Sequence, residues 1–473
     1  MSETPNADLR AWLRILEKRG ELAVAKPEAA LRHEIAAISK NLEREKAVLF
    51  PAPKGHERTH TIPVVTNLLV DRPSVAAALG VSDHEVLPRF LAAARNPIAP
   101  VEIASGPAQE VVHRRVNLEQ LLPIPTHNEL DSGAYITAAL LIARSPDTGV
   151  QNISIHRCQI SGPDRIGVLL LPRHTHAYYR QAEKRGEPLE IALVIGVHPA
   201  YLLASQAIAA LDEDEMGIAG ALLGRPAEVV KCLTNNVRVP AHAEIVLEGR
   251  ILPSVREPEG PFGEFPQYYG PRANREVIVI DAVTHRRQPI FHTIVGGGYE
   301  HLILGGVPRE ATLLQHLRRS FPNILDVRLT RGGTCRYHLV VKIDKLNNGE
   351  PKNIMMGAFA GHYDIKQVVV VDRDVDIDSS IDIEWAIATR FQADRDLLLV
   401  SGAQGSRLDP SANEGVSAKM GLDATAPVGT LSDTYRRIRV PGEAEVDRSA
   451  ALESTSGARD CLHALLNQRA EHE

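Results

Sequence analysis

Aromatic residues are only 4% of this 473-residue chain, too few to build the stacking platforms that grip unpaired bases. Basic charge is not in excess either: 53 Lys and Arg face 59 Asp and Glu, a net charge of −6. That excludes the basic stripe of a dedicated nucleic-acid surface. Four cysteines (Cys158, Cys232, Cys335 and Cys461) are scattered without a CxxC pair. A disulfide framework and a thiolate zinc site are excluded, and the pattern suits a reducing cytoplasm. No apolar run approaches the roughly 18 residues of a membrane span. Residues 1–8 are polar, with no Lys/Arg region ahead of an apolar stretch, so no signal peptide is expected. There is no Walker A loop, and the glycines at 296–298 and 305–306 lack Rossmann spacing, which argues against a dinucleotide site. No internal repeat has a fixed period.

What is present is a chain rich in Ala, Val, Leu and Ile, long enough for about three domains. At 8–19, Leu9, Trp12, Leu13 and Leu16 fall at helical spacing between an Asp8 cap and a Gly20 stop. Strands at 47–50 and 62–66 and helices at 74–79 and 84–94 predict a small N-terminal α/β domain over 1–115. Over 116–305 the texture changes to many short strands with turns, interrupted by helices at 176–185 and 200–208. That pattern favours a barrel over a doubly wound sheet. Over 306–440 helix and strand alternate (312–320, 324–329, 337–342, 351–360, 367–372, 383–390), a second α/β domain. A Gly- and Ala-rich stretch at 401–425 follows, and 441–473 ends in a helix at 456–468, read as an oligomer contact. The fold class expected is therefore multi-domain α/β (α+β).

Four elements could carry chemistry. GVQNISIHR at 149–157 places Asn152, Ser154 and His156 on one strand face and Ile153, Ile155 and Arg157 on the other. The outward face of an edge strand would look the same. LLLPRHTH at 169–176 ends an apolar strand in Arg173, His174 and His176, where a rigid scaffold commonly presents ligands. An amide, an imidazole and a carboxylate form a mixed donor set suited to Mn²⁺ or Mg²⁺. The carboxylate candidates lie in LDEDEM at 211–216, and spacing alone does not choose among them; a solvated acidic helix start fits equally. EPEGPFGE at 257–264 enforces a turn around Glu259 and Glu264, and paired acids near an Arg allow one to stay ionised while the other donates a proton. Lys419, in SAKMGLDAT at 417–425, could reach a phosphate or sit on the surface.

In this order, the four elements resemble the UbiD family of prenylated-flavin decarboxylases over about 149–425. The resemblance implies a central split β-barrel that binds prenylated FMN. It assigns Asn152, His174 and Glu215 to Mn²⁺ (or Mg²⁺) on the cofactor phosphate, and Ser154, Arg173, Ser205 and Lys419 to the cofactor lining. It places K⁺ near Ala204, Ser205 and Glu215. Arg157, Glu259 and Glu264 match the family's Glu-Arg-Glu set. By that likeness Arg157 orients the substrate carboxylate, Glu259 holds Arg157, and Glu264 reprotonates the carbon that lost CO2, while the cofactor accepts the electron pair. Alternation puts Arg157 opposite Asn152, Ser154 and His156, which requires the strand to bend or the cofactor to wrap its end.

GGGYEHLILGGVPR at 296–309 corresponds to the family's variable substrate region. His301 and Arg309 there, with Arg336 on a nearby strand, suggest recognition of a second carboxylate, as in furan-2,5-dicarboxylate decarboxylases. Indole-3-carboxylate, pyrrole-2-carboxylate and hydroxybenzoate are the alternatives. A flavin prenyltransferase would supply the cofactor, and a homo-oligomer, dimer or hexamer, is expected, with no membrane or nucleic-acid partner. The competing classes are an FMN-dependent reductase on a split barrel, in which the Glu-Arg-Glu set has no job, and a non-catalytic flavin store.

Overall fold

The computed structural model describes residues 8–211, 213–452 and 454–470. The polar start read against a signal peptide lies, apart from Asp8, outside them, as does Asp212 of the acidic run. The chain forms two compact units, residues 1–425 and 426–473. No helix among the described residues is long and apolar enough to cross a membrane.

The first helix, Leu9–Lys18, begins where the Asp8 carboxylate accepts the Ala11 amide, and it buries Leu9, Trp12, Leu13 and Leu16, the stripe its spacing predicts. Near it a four-stranded sheet runs in the order Leu22–Val24, Ala47–Phe50, Val64–Thr66 and Phe291–His292, so a strand from far along the chain completes the N-terminal region. The central sheet is antiparallel. Its path runs Tyr135–Ile136, Cys158–Ile160, Arg165–Val168, Ala273–His285, Ile245–Glu259, Leu189–Ile195, Leu140–Arg144 and Gln151–Ile155. Gln151–Ile155 lies at one end of that path and Cys158–Ile160 next to the other, yet only His156 and Arg157 separate them in sequence. So short a link spans at most about 10 Å. The sheet must curl until its ends meet, which makes it a split barrel. The barrel is filled by Ile136, Leu141, Cys158, Ile166, Leu193, Leu247 and Ile278.

The C-terminal sheet runs Ile324–Leu329, His338–Ile343, Gln367–Asp372, Val416–Ala424 and Leu397–Gln404. Its parallel centre is joined by the helix Glu350–Gly361, the usual way to connect parallel neighbours. The Gly- and Ala-rich stretch contributes to two strands, and Lys419 stands on one of them. One expectation is corrected here. Residues 299–318 form one helix of 20 residues through Gly305, Gly306 and Pro308, where helix had been expected only from 312. Burial of 14 of those residues outweighs the poor propensity of Gly and Pro. In the second unit the helix Thr455–Ala470 leaves Leu462, Leu465 and Leu466 exposed.

Candidate active site

The strand Gln151–Ile155 stops two residues before Arg157, so strict alternation does not govern that side chain, which sits in the link across the barrel split. Its guanidinium donates to Glu259 Oε2 at 2.7 Å and, through the other nitrogen, to Glu264 Oε1. Glu259 is fully buried and Arg157 nearly so, and the Arg157 charge lies over the Phe262 ring at 5.6 Å. Gly270 gives the guanidinium room: a Cβ there would fall 2.6 Å from Arg157 Nη1. Burial raises the Glu264 carboxyl above its ordinary range, Arg157 opposes that shift, and the neighbouring Glu259 adds to it. Burial thus favours the protonated form of Glu264.

A second group forms at the strand Gln151–Ile155 itself. Glu215 opens the helix Glu215–Leu223 and turns inward: Oε1 accepts from Asn152 Nδ2 at 2.9 Å, and Oε2 accepts the Ile153 amide at 2.9 Å. Its neighbours are otherwise occupied, since Asp214 caps Met216 and Glu213 accepts the Ala210 amide. The structure thus separates Glu215 from an acidic run that spacing left ambiguous. His174, first residue of the helix His174–Lys184, places Nδ1 3.8 Å from Glu215 Oε1. An amide, an imidazole and a carboxylate within reach of one point fit a hard divalent cation. Among the described residues no trio of His, Cys, Asp and Glu converges, so the set depends on the Asn152 amide.

Thr175, which the sequence reading passed over, ties this group together: its hydroxyl donates to Asn152 Oδ1 at 2.8 Å and meets Ser154 Oγ at 2.9 Å. Ser154 also meets His156 Nε2 at 2.9 Å. Ser205 caps the helix Pro199–Ala204, and its hydroxyl donates to Leu202 O at 2.7 Å.

A third group surrounds the turn at 362–365. Lys419 is buried and donates to Tyr363 O at 2.8 Å and Ile365 O at 2.7 Å, while Arg173 donates to the Tyr363 hydroxyl at 3.1 Å. Arg309 approaches Asp364 Oδ2 at 3.4 Å and donates to His362 Nε2 at 3.3 Å. Arg336 lies in the turn ahead of His338–Ile343 and not on a strand; it donates to Leu302 O and Cys335 O and sits over the Phe265 ring at 5.3 Å. Burial, then Arg309, Arg173, Arg336 and Lys419, push the His362 imidazole down to about 2, which places four cations around one ring. His301 is corrected from cation to neutral imidazole, held at about 3 by burial and by Arg336. Burial and Arg336 lower Arg309 to about 9, so it stays charged at neutral pH. His362 and Asp364 carried no sequence signal: they follow a helix in an unremarkable turn.

Comparison with known proteins agrees along the whole first unit. Residues 13–94, 100–299 and 302–424 match the N-terminal, Rift-related and C-terminal domains of 3-octaprenyl-4-hydroxybenzoate carboxy-lyase. The chain is 40% identical over 425 residues to the anhydromevalonate phosphate decarboxylase of Methanothermobacter thermautotrophicus, covering 89% of this chain and 98% of that protein. It is 30% identical to the gallate decarboxylase of Lactiplantibacillus plantarum, covering 85% and 88%. Among solved structures, the UbiD-class enzyme HmfF from Pelotomaculum thermopropionicum in complex with FMN superposes with a TM-score of 0.91 at 49% identity, covering 94% of this chain and all of that one. An evolved dimeric form of the same enzyme, in complex with prenylated FMN, gives 0.88 at 47% identity, covering 94% of this chain and 100% of that one.

Proposed function

The chain belongs to the UbiD family and is a carboxy-lyase, and from that premise we propose that it holds prenylated FMN through a divalent metal and decarboxylates furan-2,5-dicarboxylate to furan-2-carboxylate. Asn152, His174 and Glu215 would hold Mn²⁺ (or Mg²⁺) on the cofactor phosphate, with Ser154, Arg173, Ser205 and Lys419 along the cofactor and K⁺ near Ala204, Ser205 and Glu215. The bound cofactor supplies the electron sink that lets an unsaturated carbon release CO2. Arg157 holds the reacting carboxylate, and Glu264, whose affinity for a proton is raised by burial, gives its proton to the vacated carbon. With its side chain 12% exposed, Glu264 regains that proton from water.

The substrate reading is carried by one observation: Arg309 Nη1 is buried without a hydrogen-bond partner, beside Arg336, which bonds only backbone carbonyls among the described residues. Two buried guanidiniums near the Asp364 carboxylate call for a further anion. Neutral His301 adds a hydrogen-bonding group beside them. A charge-assisted bond contributes roughly 1.5–3 kcal/mol, or about 10- to 150-fold. Holoenzyme made alongside a flavin prenyltransferase is expected to turn over furan-2,5-dicarboxylate at least about tenfold better than furan-2-carboxylate. Arg309→Ala should erase that preference and keep the flavin, whereas His174→Ala should lose metal and flavin together.

The identity to anhydromevalonate phosphate decarboxylases favours a second reading, in which the same cations take a phosphorylated acid. Turnover of that compound with none of the furan diacid would decide for it. The C-terminal unit we read as a contact between copies of the chain, because Leu462, Leu465 and Leu466 form an exposed i, i+3, i+4 stripe.

A further inference from the structure

Glu259 uses its two carboxylate oxygens differently. Oε2 accepts from Arg157 at 2.7 Å, and Oε1 accepts from the Tyr135 hydroxyl at 3.1 Å. Tyr135 stands on the strand Tyr135–Ile136, which pairs with the Cys158–Ile160 strand that immediately follows Arg157. Its fully buried ring lies 4.5 Å from Phe262, the ring beneath the Arg157 charge. The hydroxyl also meets Ser132 Oγ at 3.0 Å, Gln159 Oε1 at 3.1 Å and Pro261 O at 3.4 Å. A phenol has one proton to give, and of these acceptors the carboxylate is the charged one and holds it most strongly. Burial, and then Glu259, push the phenol far above its ordinary value, so it remains a donor across any working pH.

We infer that Tyr135 is a positioning residue whose phenol holds the Glu259 carboxylate, and through it Arg157, in place beside Glu264. This rests on the reading of Glu264 as proton donor. The groups facing Glu259 are few: Arg157 and Cys158 from the link and the strand after it, Glu264 from its own turn, and Tyr135. Burial keeps the Cys158 thiol protonated, so it contributes no charge. Without the phenol, Arg157 alone holds the Glu259 carboxylate. The form with both carboxyls protonated, in which Arg157 loses its anchor, then appears at higher pH.

The test is the pH profile of kcat for holoenzyme carrying Tyr135→Phe, which preserves the ring contact with Phe262. Its acid limb should move up by roughly one to two pH units, the worth of one hydrogen bond to a charged group. The alkaline limb, set by Glu264, should stay in place. An unmoved acid limb, or a loss that is uniform across pH, overturns the inference. Glu259→Gln gives an independent check that does not depend on how Tyr135→Phe folds: it should remove the acid limb, and a wild-type acid limb in that variant also overturns it. Full activity of Glu264→Gln would instead sink the proton-donor reading beneath it.

Discussion

Buried histidines show how far this interior departs from water. Burial holds His127 and His198 at about 4, His301 at about 3 and His362 at about 2. A folded-state value below the unfolded one means that the native chain binds fewer protons, so stability is present above about pH 6.5 and is lost as pH falls. Asp214, raised to about 6 by burial, opposes this but is outnumbered. Each histidine contributes up to about 1.4 kcal/mol per pH unit, so urea unfolding at pH 5 should show a stability at least about 2 kcal/mol below that at pH 7. Equal midpoints at the two pH values would contradict the burial of these rings. Some of this residue-scale detail was legible in the sequence: a turn with two acids near an Arg marks Glu259 and Glu264. The protonation of His301 was not, because a histidine's charge depends on neighbours that only the fold supplies.

At the scale of elements, the helix Tyr299–Arg318 decides where His301 and Arg309 stand. It carries His301 and Arg309 and is anchored by acids beside each: Glu300 accepts the Leu68 amide at 3.0 Å, and Glu310 pairs with Arg72 at 2.6 Å. Gly305 forms a notch on this helix against which the Arg336 guanidinium rests, and a Cβ there would overlap it. Gly305→Ala should therefore displace Arg336 and abolish the preference for a diacid without loss of flavin. Gly332→Ala, with nothing within 4 Å of the added carbon, should leave that preference intact. Turnover of the diacid and the monoacid by both variants checks this, and an unchanged preference in Gly305→Ala would remove Arg336 from the subsite. The sequence hid this element because Gly-Gly and Pro read as helix breakers. It hid the strand of Lys419 for a similar reason, since small residues and glycine weaken the period-2 signal. Barrel strands such as Leu140–Arg144 and Leu189–Ile195 were legible as short apolar runs bounded by turns.

For the whole molecule, closure of the barrel matters most. It sets Arg157 in the link between the sheet's two ends, with Asn152 five positions earlier on one of them, so one short segment serves both the metal-type donors and the acid pair. The C-terminal sheet then adds Lys419 and the turn at 362–365 to the first unit's cation cluster. Periodicity does not report such long-range meetings; only the order of the four motifs hinted at them. The proposed reaction exchanges the substrate's carboxylate for a proton delivered by Glu264. Holoenzyme incubated with furan-2,5-dicarboxylate in D2O should release CO2 and yield furan-2-carboxylate carrying one deuterium at the vacated carbon. Glu264→Gln, which keeps the flavin, should be slower by about 10²- to 10⁴-fold. CO2 release and deuterium incorporation at wild-type rates in that variant would overturn the role of Glu264 as proton donor.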